Sequence, residues 1–341
     1  MDKRRTLRAL AFIDLLGFSK MVNRNHDDAK SILNDFYDLT YRIIRDIPEI
    51  KGNLFSDSLL AHSKNPSLLI NTICKIYREC LLKNQDYKNI GNFFLLPRGG
   101  ISIGFVEIQR RKEPPNLTKN FIVSPALVHS SKIEELIKGS RLLVASKLNE
   151  EESIIEWNSQ IKSVFYDNST FIFWENYKYM DALWFLDLLK ESREQKEEVI
   201  QLINQAIRLV LANADSKESV EHHIHTLRIG LLSYTKLLNP NSNNDIVTRI
   251  INDFRDDKYW LIWLTLIEML MQSPDSWAFP NKREVVEFYK SKSWPGKTGQ
   301  RHKWESCSKI GNREGSEIES WPDRFVKGKW RIRICCLTLQ K

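Results

Sequence analysis

The chain has 341 residues, of which 42% are hydrophobic, so it is long enough to bury a large core without disulfide bonds. Its five cysteines form no CxxC pair, which argues against a zinc site or a secreted disulfide framework and favours a reducing cytoplasm. The formal net charge is +8, and all of this excess lies in the last 60 residues, from Lys282 onward. A basic surface over the whole protein is not supported, and we expect no specific binding of nucleic acid; a basic tail that meets an acidic partner, a membrane or nucleic acid stays open as an alternative.

The first half of the chain alternates short apolar strands with amphipathic helices. Its predicted elements, in order, are a strand at Arg8–Asp14, a helix at Asp27–Ile47, a hairpin at Asn53–Ser63, a helix at Leu68–Leu82, a strand at Ile101–Ile108, a helix at Ser124–Ile137 and a strand at Leu142–Ala145. Further strands are expected at Ser153–Trp157, Ser163–Tyr166 and Thr170–Trp174. This order predicts an α+β fold, with helices on one face of a mainly antiparallel sheet.

The second half changes to helical periodicity. Helices are predicted at Met180–Ser192, Gln195–Ala214, Ser219–Leu237 and Asp245–Met271, with a break at Asn239–Asn244. We therefore divide the chain into a domain at 1–177, a helical extension at 178–279 and a basic, loosely ordered tail at 280–341. The most apolar segment, Tyr259–Met271, is shorter than the roughly 20 residues that cross a bilayer, so no transmembrane span is expected.

Two aspartates in apolar surroundings are the first candidates for chemistry. Asp14 ends a buried strand, and Asp57 lies at a predicted hairpin turn. A carboxylate beside a low-dielectric core is costly unless it is paired or bound to a cation, and two such carboxylates on neighbouring strands can bridge hard cations. Gly17 allows a tight turn that exposes backbone N–H groups to an anion. The alternative is that both aspartates only cap turns.

Four segments, taken together and in this order, resemble the class III adenylyl/guanylyl cyclase domain. They are Phe12–Ser19 (FIDLLGFS), Phe55–Ala61 (FSDSLLA), Arg98–Gly104 (RGGISIG) and Ser124–Glu135 (SPALVHSSKIEE). The resemblance covers roughly residues 7–175 and implies a ferredoxin-like nucleotide cyclase fold. The second segment departs from the family pattern by having Ser56 in place of glycine, and the fourth matches only in outline.

The resemblance implies a role for each matching residue. Two divalent ions, Mn²⁺ or Mg²⁺, would be held by Asp14, Asp57 and the backbone carbonyl of Leu15. The backbone amides from Leu16 to Ser19, including those of Gly17 and Phe18, would bind the phosphates. Arg98 would bind the phosphate or pyrophosphate, a task that suits the planar guanidinium. The ribose 3′-oxygen would attack the α-phosphorus, and diphosphate would leave.

Other positions depart from the purine cyclases. Lys51 stands where those enzymes have a base-reading lysine, but Phe121 replaces its carboxylate partner and cannot accept hydrogen bonds from adenine. Val128 replaces the ribose-facing asparagine. Lys132 replaces the transition-state arginine, and it supplies charge without the fork geometry.

This altered pattern is similar to the pyrimidine cyclases of the bacterial Pycsar antiphage systems, which share the Ser56-Asp57-Ser58 and Ala126-Leu127-Val128 patterns. It implies conversion of UTP or CTP to the 3′,5′-cyclic monophosphate, which activates a separate cyclic-nucleotide-sensing effector during phage infection. Class III sites are also shared across a homodimer. Two alternatives stay open: an adenylyl or guanylyl cyclase, which Lys51 favours, and a degenerate nucleotide-binding or sensor module, which Val128 and Lys132 favour.

Three histidines in the second half are weaker candidates. His222, His223 and His225 occur close together on a predicted helix and have i, i+3 spacing that could bind a metal. No cysteine or carboxylate cluster accompanies them, so the pattern favours a solvent-exposed helix face instead.

Overall fold

The computed structural model describes residues 6–110, 120–147, 165–166, 178–187, 190, 192–213 and 217–237. The chain divides into two compact units, Met1–Pro280 and Asn281–Lys341, and the described residues all belong to the first. Several expectations lie outside them: the strands at Ser153–Trp157 and Thr170–Trp174, the helix at Asp245–Met271 and the tail at 280–341.

Eight strands of the described residues form one mixed sheet. They are β1 (Thr6–Leu15), β2 (Lys51–Phe55), β3 (Ser58–Ser63), β4 (Pro97–Arg110), β5 (Asn120–Val123), β6 (Leu142–Lys147), β7 (Phe165–Tyr166) and β8 (Lys178–Ala182). Their order is β2-β3-β1-β4-β6-β8-β7, and β5 pairs with the end of β4. Only the β4–β6 pair among these strands is parallel. The predicted α+β fold with a mainly antiparallel sheet is confirmed.

The first half of the chain contains four helices: α1 (Phe18–Arg24), α2 (His26–Ile44), α3 (Pro66–Lys83) and α4 (Pro125–Leu136). Local sequence signals mark where the last three of them begin. The side chains of Asn25, Asn65 and Ser124 accept hydrogen bonds from first-turn amides of α2, α3 and α4. In α3 and α4 the cap is followed by a proline at the start of the helix, where the missing N–H costs nothing.

The register of the central strands shows which side chains share a face of the sheet. Residues directly opposite each other in an antiparallel pair point to the same side. Asp14 of β1 lies opposite Ser58 of β3 and Arg98 of β4. Even-numbered residues of β1, such as Leu10, therefore share one face with these three residues, and the odd-numbered ones face the other way.

The structure differs from the expectation of helices on one face. Leu10, Leu60 and Val106 pack with Ala126, so α4 covers the face that contains Asp14, which we call the α4 face. Helix α2 lies on the opposite side, since a Cβ on Gly52 would contact Ile44 of α2 as well as Leu59. The sequence does not distinguish the faces here, because both sides of β1 are apolar.

The prediction of a helix at Met180–Ser192 is wrong, because Lys178–Ala182 forms β8 and residues 183–187 form turns and irregular structure. Asp181 lies opposite Leu143 of β6, and its nearly inaccessible carboxylate receives two hydrogen bonds of 2.7 Å from Arg141. This buried charge pair holds β8 in the sheet. The sheet thus continues past residue 178, and the helix that begins at Ser192 is the one predicted at Gln195–Ala214.

Two long helices follow the sheet, α5 (Ser192–Ala212) and α6 (Lys217–Lys236). They pack against each other, and α5 also contacts α3. The buried guanidinium of Arg78 in α3 donates to the carbonyl oxygens of Trp184 and Leu186 and pairs with Asp187 at 3.1 Å. The segment between β8 and α5 is therefore fixed to the first half of the chain. Within the described stretches, none of the helices combines the length and apolarity that crossing a membrane requires.

The close pairing of β1 and β4 generates a stability prediction. A Cβ on Gly99 would lie 2.2 Å from the carbonyl oxygen of Phe12 and 2.9 Å from the Cα of Ile13. Both are backbone atoms of a central strand and cannot move without breaking the ladder. We expect Gly99→Ala to lower the free energy of unfolding by about 3 kcal/mol, the upper end of the range for overpacking, as measured by urea denaturation.

The matched control is Gly52→Ala on the edge strand β2, where a Cβ would meet only side-chain atoms, at 3.5 Å and beyond. This variant should stay within about 0.5 kcal/mol of the wild type. Equal denaturation midpoints for Gly99→Ala and the wild type would show that the β1–β4 contact is misplaced.

Candidate active site

Asp14 occupies the end of β1 in a partly buried position. The hydroxyl of Ser58 donates a hydrogen bond of 2.9 Å to its carboxylate. Burial raises the pKa of Asp14 above its ordinary value, and the neighbouring charge of Asp57 raises it further, whereas Ser58 and Arg98 act in the opposite direction. Two carboxylates thus repel each other at this end of the sheet, and this arrangement favours a cation between them.

Asp57 is placed by the turn between β2 and β3. Ser56 has a positive φ of 51°, where the related family pattern has glycine, and its carbonyl accepts a hydrogen bond of 2.8 Å from the Tyr37 hydroxyl. The backbone N–H of Leu15 donates to the carbonyl of Asp57 at 3.1 Å. This last bond joins the turn to the end of β1, so the two aspartates predicted as metal ligands are brought together.

Arg98 lies between two acidic side chains. Its guanidinium is 2.6 Å from a carboxylate oxygen of Glu134 in α4 and 3.9 Å from one of Asp14. Its Nη1 also donates to the carbonyl of Ile137 at 3.4 Å. The cation predicted to bind phosphate is therefore held at the aspartate site, and Glu134 neutralises it from the helix side.

The turn after β1 has the tight conformation that Gly17 was expected to allow. Gly17 has φ +74° and caps the start of α1. The Leu16 amide, however, donates to the carbonyl of Leu96 at 2.9 Å. The predicted phosphate-binding role of the Leu16 amide is thus wrong, because that N–H is already used to fix the turn beside β4. Phe18, the first residue of α1, is half-buried.

Lys51 extends the α4 face along the edge of the sheet. It lies opposite His62 of β3 and is exposed. His62 is buried, and its Nδ1 is 3.3 Å from Nη1 of Arg8. Burial, together with the nearby charges of Arg8 and Lys51, lowers the pKa of His62 to about 4. The imidazole is therefore neutral beside two cations, with its ring nitrogen available as an acceptor.

Two departing positions of the fourth segment, Val128 and Lys132, lie on the exposed side of α4. Val128 is 51% exposed, and Lys132, one helical turn further along α4, is exposed too. Residues four apart lie on one side of a helix, so these two form an outer surface of α4. Phe121 pairs in β5 with Gln109 of β4. Arg98, by contrast, is held beside Asp14 within the same chain.

An apolar surface continues the α4 face beyond the helix. Phe55 of β2 is 49% exposed, and its ring lies 6.4 Å from the ring of Phe12, centroid to centroid. Phe12 itself is partly buried beside the cluster that includes Leu127. Phe55 and Phe12 thus place apolar aromatic surface at the same end of the sheet as Asp14.

Sequence reasoning missed two residues of this site. Ser58 was recognised only as part of a pattern, although it is the hydrogen-bond donor to Asp14. Glu134 was recognised only as the acidic end of the fourth segment, although it is the closest charge to Arg98. Its spacing on α4 could have indicated an inward position, but no sequence signal pairs it with Arg98.

The histidines of α6 are not on a solvent-exposed face, as the sequence had suggested. His223 is 2% exposed, and burial lowers its pKa to about 3. Burial lowers the pKa of His225 as well, and nearby cations such as Arg141 act in the same direction. These residues pack in the core. Among the described residues there is no group of three or more His, Cys, Asp or Glu that could hold a metal.

The carboxylates of Asp14 and Asp57 nevertheless suit hard divalent ions such as Mg²⁺. Mg²⁺ is usually bound by one or two carboxylates, with the remaining positions filled by water and substrate phosphates. The oxygen donors of Asp14 and Asp57, the repulsion between them and the open end of the sheet match this mode. Imidazole or thiolate ligands, which softer metals prefer, are absent from this cluster of described residues.

Comparisons with known proteins find similarity only among solved structures. No protein-family model and no curated protein matches the chain. The guanylyl cyclase Cya2 is 16% identical with a TM-score of 0.44, over 54% of this chain and 94% of that one. The adenylyl cyclase CyaB from P. aeruginosa is 14% identical with a TM-score of 0.43, over 53% and 96%. A bacterial light-regulated adenylyl cyclase is 14% identical with a TM-score of 0.41, over 58% and 99%.

The neutral His62 generates a prediction about pH. Its pKa is about 4 in the folded protein, below the ordinary 6.5 of the unfolded chain. Between these values the unfolded state binds more protons, so the folded state loses stability as the pH falls from 6.5 to 4. We expect His62→Asn, which retains an acceptor for Arg8, to lose less stability than the wild type over this range, as measured by urea denaturation.

The control is His26→Asn at the exposed start of α2, which should follow the wild-type pH dependence. His223 and His225 remain in every variant, so the difference reports on His62 alone. Identical slopes for His62→Asn and the wild type would contradict a buried, neutral imidazole at this position.

Proposed function

We propose that this chain is a nucleotide cyclase that converts a nucleoside triphosphate to the 3′,5′-cyclic monophosphate and diphosphate. The observation that carries the proposal is the juxtaposition of Asp14 and Asp57, with Arg98 beside them, at one end of the sheet. Paired carboxylates next to a guanidinium suit a triphosphate bound with divalent ions, and a structural role would not require two repelling charges there.

Asp14, Asp57 and the Leu15 carbonyl would hold the two divalent ions, Mn²⁺ or Mg²⁺. When bound, such ions lower the pKa of the ribose 3′-hydroxyl and neutralise the phosphate charge. The protein holds the carboxylates in place through Ser58 and through the bond between Leu15 and the Asp57 turn. The backbone amides of Gly17 and Phe18, at the start of α1, would bind the phosphates.

Arg98 would bind the leaving diphosphate. Its ion pair with Glu134 holds the guanidinium at the site before substrate arrives, so little side-chain freedom is lost on binding. A phosphate group offers more charge than Glu134 does, and it would compete for the same donors. The 3′-oxygen then bonds to the α-phosphorus, and the bond from that phosphorus to the leaving diphosphate breaks.

A homodimer would complete the site. The exposed surface of α4, with Val128 and Lys132, would face the aspartates of a partner. The exposed ring of Phe55 and the partly buried Phe12 give the α4 face an apolar area that a second copy would cover. Lys132 would supply positive charge to the transition state, and Lys51 and Phe121 would contact the base.

We propose a pyrimidine base, with UTP and CTP as the candidates. Phe121 in place of a carboxylate removes the acceptor that adenine recognition uses, and the Ser-Asp-Ser turn at residues 56–58 fits the resemblance to the Pycsar cyclases. As in the Pycsar systems, the cyclic nucleotide would be made in the cytoplasm and would activate a separate cyclic-nucleotide-sensing effector in antiphage defence. Lys51 supports a purine cyclase as the alternative, whereas Val128 and Lys132 support a nucleotide-binding module without turnover.

The decisive experiment incubates the purified full chain separately with UTP, CTP, ATP and GTP in the presence of Mn²⁺ and identifies the products. We expect a cyclic pyrimidine nucleotide and diphosphate. Asp57→Asn should lower the rate by about a thousandfold, because a metal ligand contributes several kcal/mol of transition-state stabilisation. The control is Asp46→Asn, an exposed carboxylate paired with Arg45, which should keep the wild-type rate.

Each other outcome selects an alternative. A cyclic purine product would contradict the proposed pyrimidine specificity but would still support the proposed cyclase activity. Nucleotide binding without any product would support the binding module and end the enzyme hypothesis. Full activity of Asp57→Asn would show that the chemistry does not depend on this carboxylate.

A further inference from the structure

The turn between α4 and β6, residues 137–141, is held by helix α6. The backbone N–H of Gly139 donates to Nδ1 of His222 at 3.0 Å, and that of Ser140 donates to the hydroxyl of Thr226 at 2.9 Å. Gly139 has φ +77°, and a Cβ there would lie 2.3 Å from the His222 carbonyl oxygen. The helix therefore approaches the backbone of this turn directly, and only glycine fits the contact.

The same turn is bonded to β4 on both sides of Arg98. The hydroxyl of Ser140 donates to the carbonyl of Pro97 at 2.6 Å, and the backbone N–H of Gly99 donates to the carbonyl of Arg141 at 3.1 Å. Arg98 itself donates to the carbonyl of Ile137. The positions of Pro97, of Gly99 and of the Arg98 guanidinium therefore all depend on the position of the 137–141 turn.

A second contact from α6 extends toward the other part of the site. The buried ring of His223 packs edge-on against Phe94, with ring centroids 4.9 Å apart. Phe94 in turn lies beside Gly17, since a Cβ on Gly17 would be 3.5 Å from the Phe94 ring. Helix α6 therefore supports both Arg98 and the turn that follows Asp14.

We propose that α6 is a positioning element of the active site, in which Thr226 and His222 set the place of Arg98 through the 137–141 turn. The inference rests on the proposed function and deepens it, because it makes turnover depend on the docking of a helix that carries no residue of the site. Thr226 and His222 are positioning residues, since neither touches the aspartates or Arg98 directly.

The physical basis is the buried N–H of Ser140. Ser140 is inaccessible to solvent, and Thr226 is 1% exposed, so loss of the Thr226 hydroxyl leaves a donor that no water replaces. The turn then shifts to find another acceptor. A displacement of about 1 Å of a group that binds the transition state reduces the rate up to about a hundredfold.

The test compares Thr226→Val, which removes the hydroxyl at nearly constant shape, with Thr226→Ser, which keeps it. We expect Thr226→Val to reduce kcat/KM about tenfold and Thr226→Ser to restore most of it. The matched control is Ser233→Ala, which removes another buried hydroxyl of α6, one that donates to Ile229 within the helix at 2.7 Å. This control should keep the wild-type kcat/KM.

A double-mutant cycle with Arg98→Ala identifies the route. If Thr226 acts through Arg98, then Thr226→Val should have little further effect in the Arg98→Ala background. An equal loss of kcat/KM in both backgrounds would overturn the proposal, as would an equal loss in Thr226→Val and Ser233→Ala.

Amide hydrogen exchange provides a readout that does not need turnover. Thr226→Val should raise the exchange rate of the segment 97–100, which contains the Gly99 amide, about tenfold, whereas Ser233→Ala should leave it unchanged. If no triphosphate is turned over by the wild type, the proposed function fails but this measurement still decides the inference. Equal exchange in both variants would show that α6 does not position β4.

Discussion

The structure depends on the placement of a carboxylate where the apolar strand β1 ends. Asp14 is opposite Ser58 on one side and Arg98 on the other, so both neighbouring strands contribute to its surroundings. Hydrogen bonds from the Ser58 hydroxyl and the Leu15 backbone and one ion pair at 3.9 Å offset only part of the cost of burying Asp14, and the charge of Asp57 adds to that cost. The protein thus retains an unfavourable charge at a point where an ordinary α+β domain would have an apolar or neutral residue.

Arg98 joins this end of the sheet to α4 and, through the 137–141 turn, to the second half of the chain. Its two acidic neighbours come from different elements, Asp14 from β1 and Glu134 from α4. A guanidinium with several fixed donors can serve both at once, which an ammonium group could do less well. The helical segment after the sheet is for this reason a continuation of the first half, as the single compact unit at Met1–Pro280 indicates.

Much of the first half could be predicted from the sequence because its signals are local. Apolar periodicity predicts α2 and α3, and the adjacent Gly99 and Gly100 mark the strand that pairs closely with β1. The wrong expectations concern tertiary contacts. An apolar run at Met180–Leu186 reads as helix until Asp181 is known to pair with Arg141, and the histidines of α6 read as surface residues until Phe94 and Gly139 are placed against them. Likewise, no periodicity indicates that Leu96 accepts the Leu16 amide.

The late position of β8 in the sequence has a consequence for how the protein is made. The sheet lacks β8 until Ala182 has left the ribosome, and the bonds of Arg78 require residues up to Asp187. Domains generally fold as units during synthesis, at about 5–20 residues per second. The edge of β6 that pairs with β8 therefore stays without this partner for several seconds after its own synthesis, and over that time its backbone N–H and C=O groups have to be satisfied in another way.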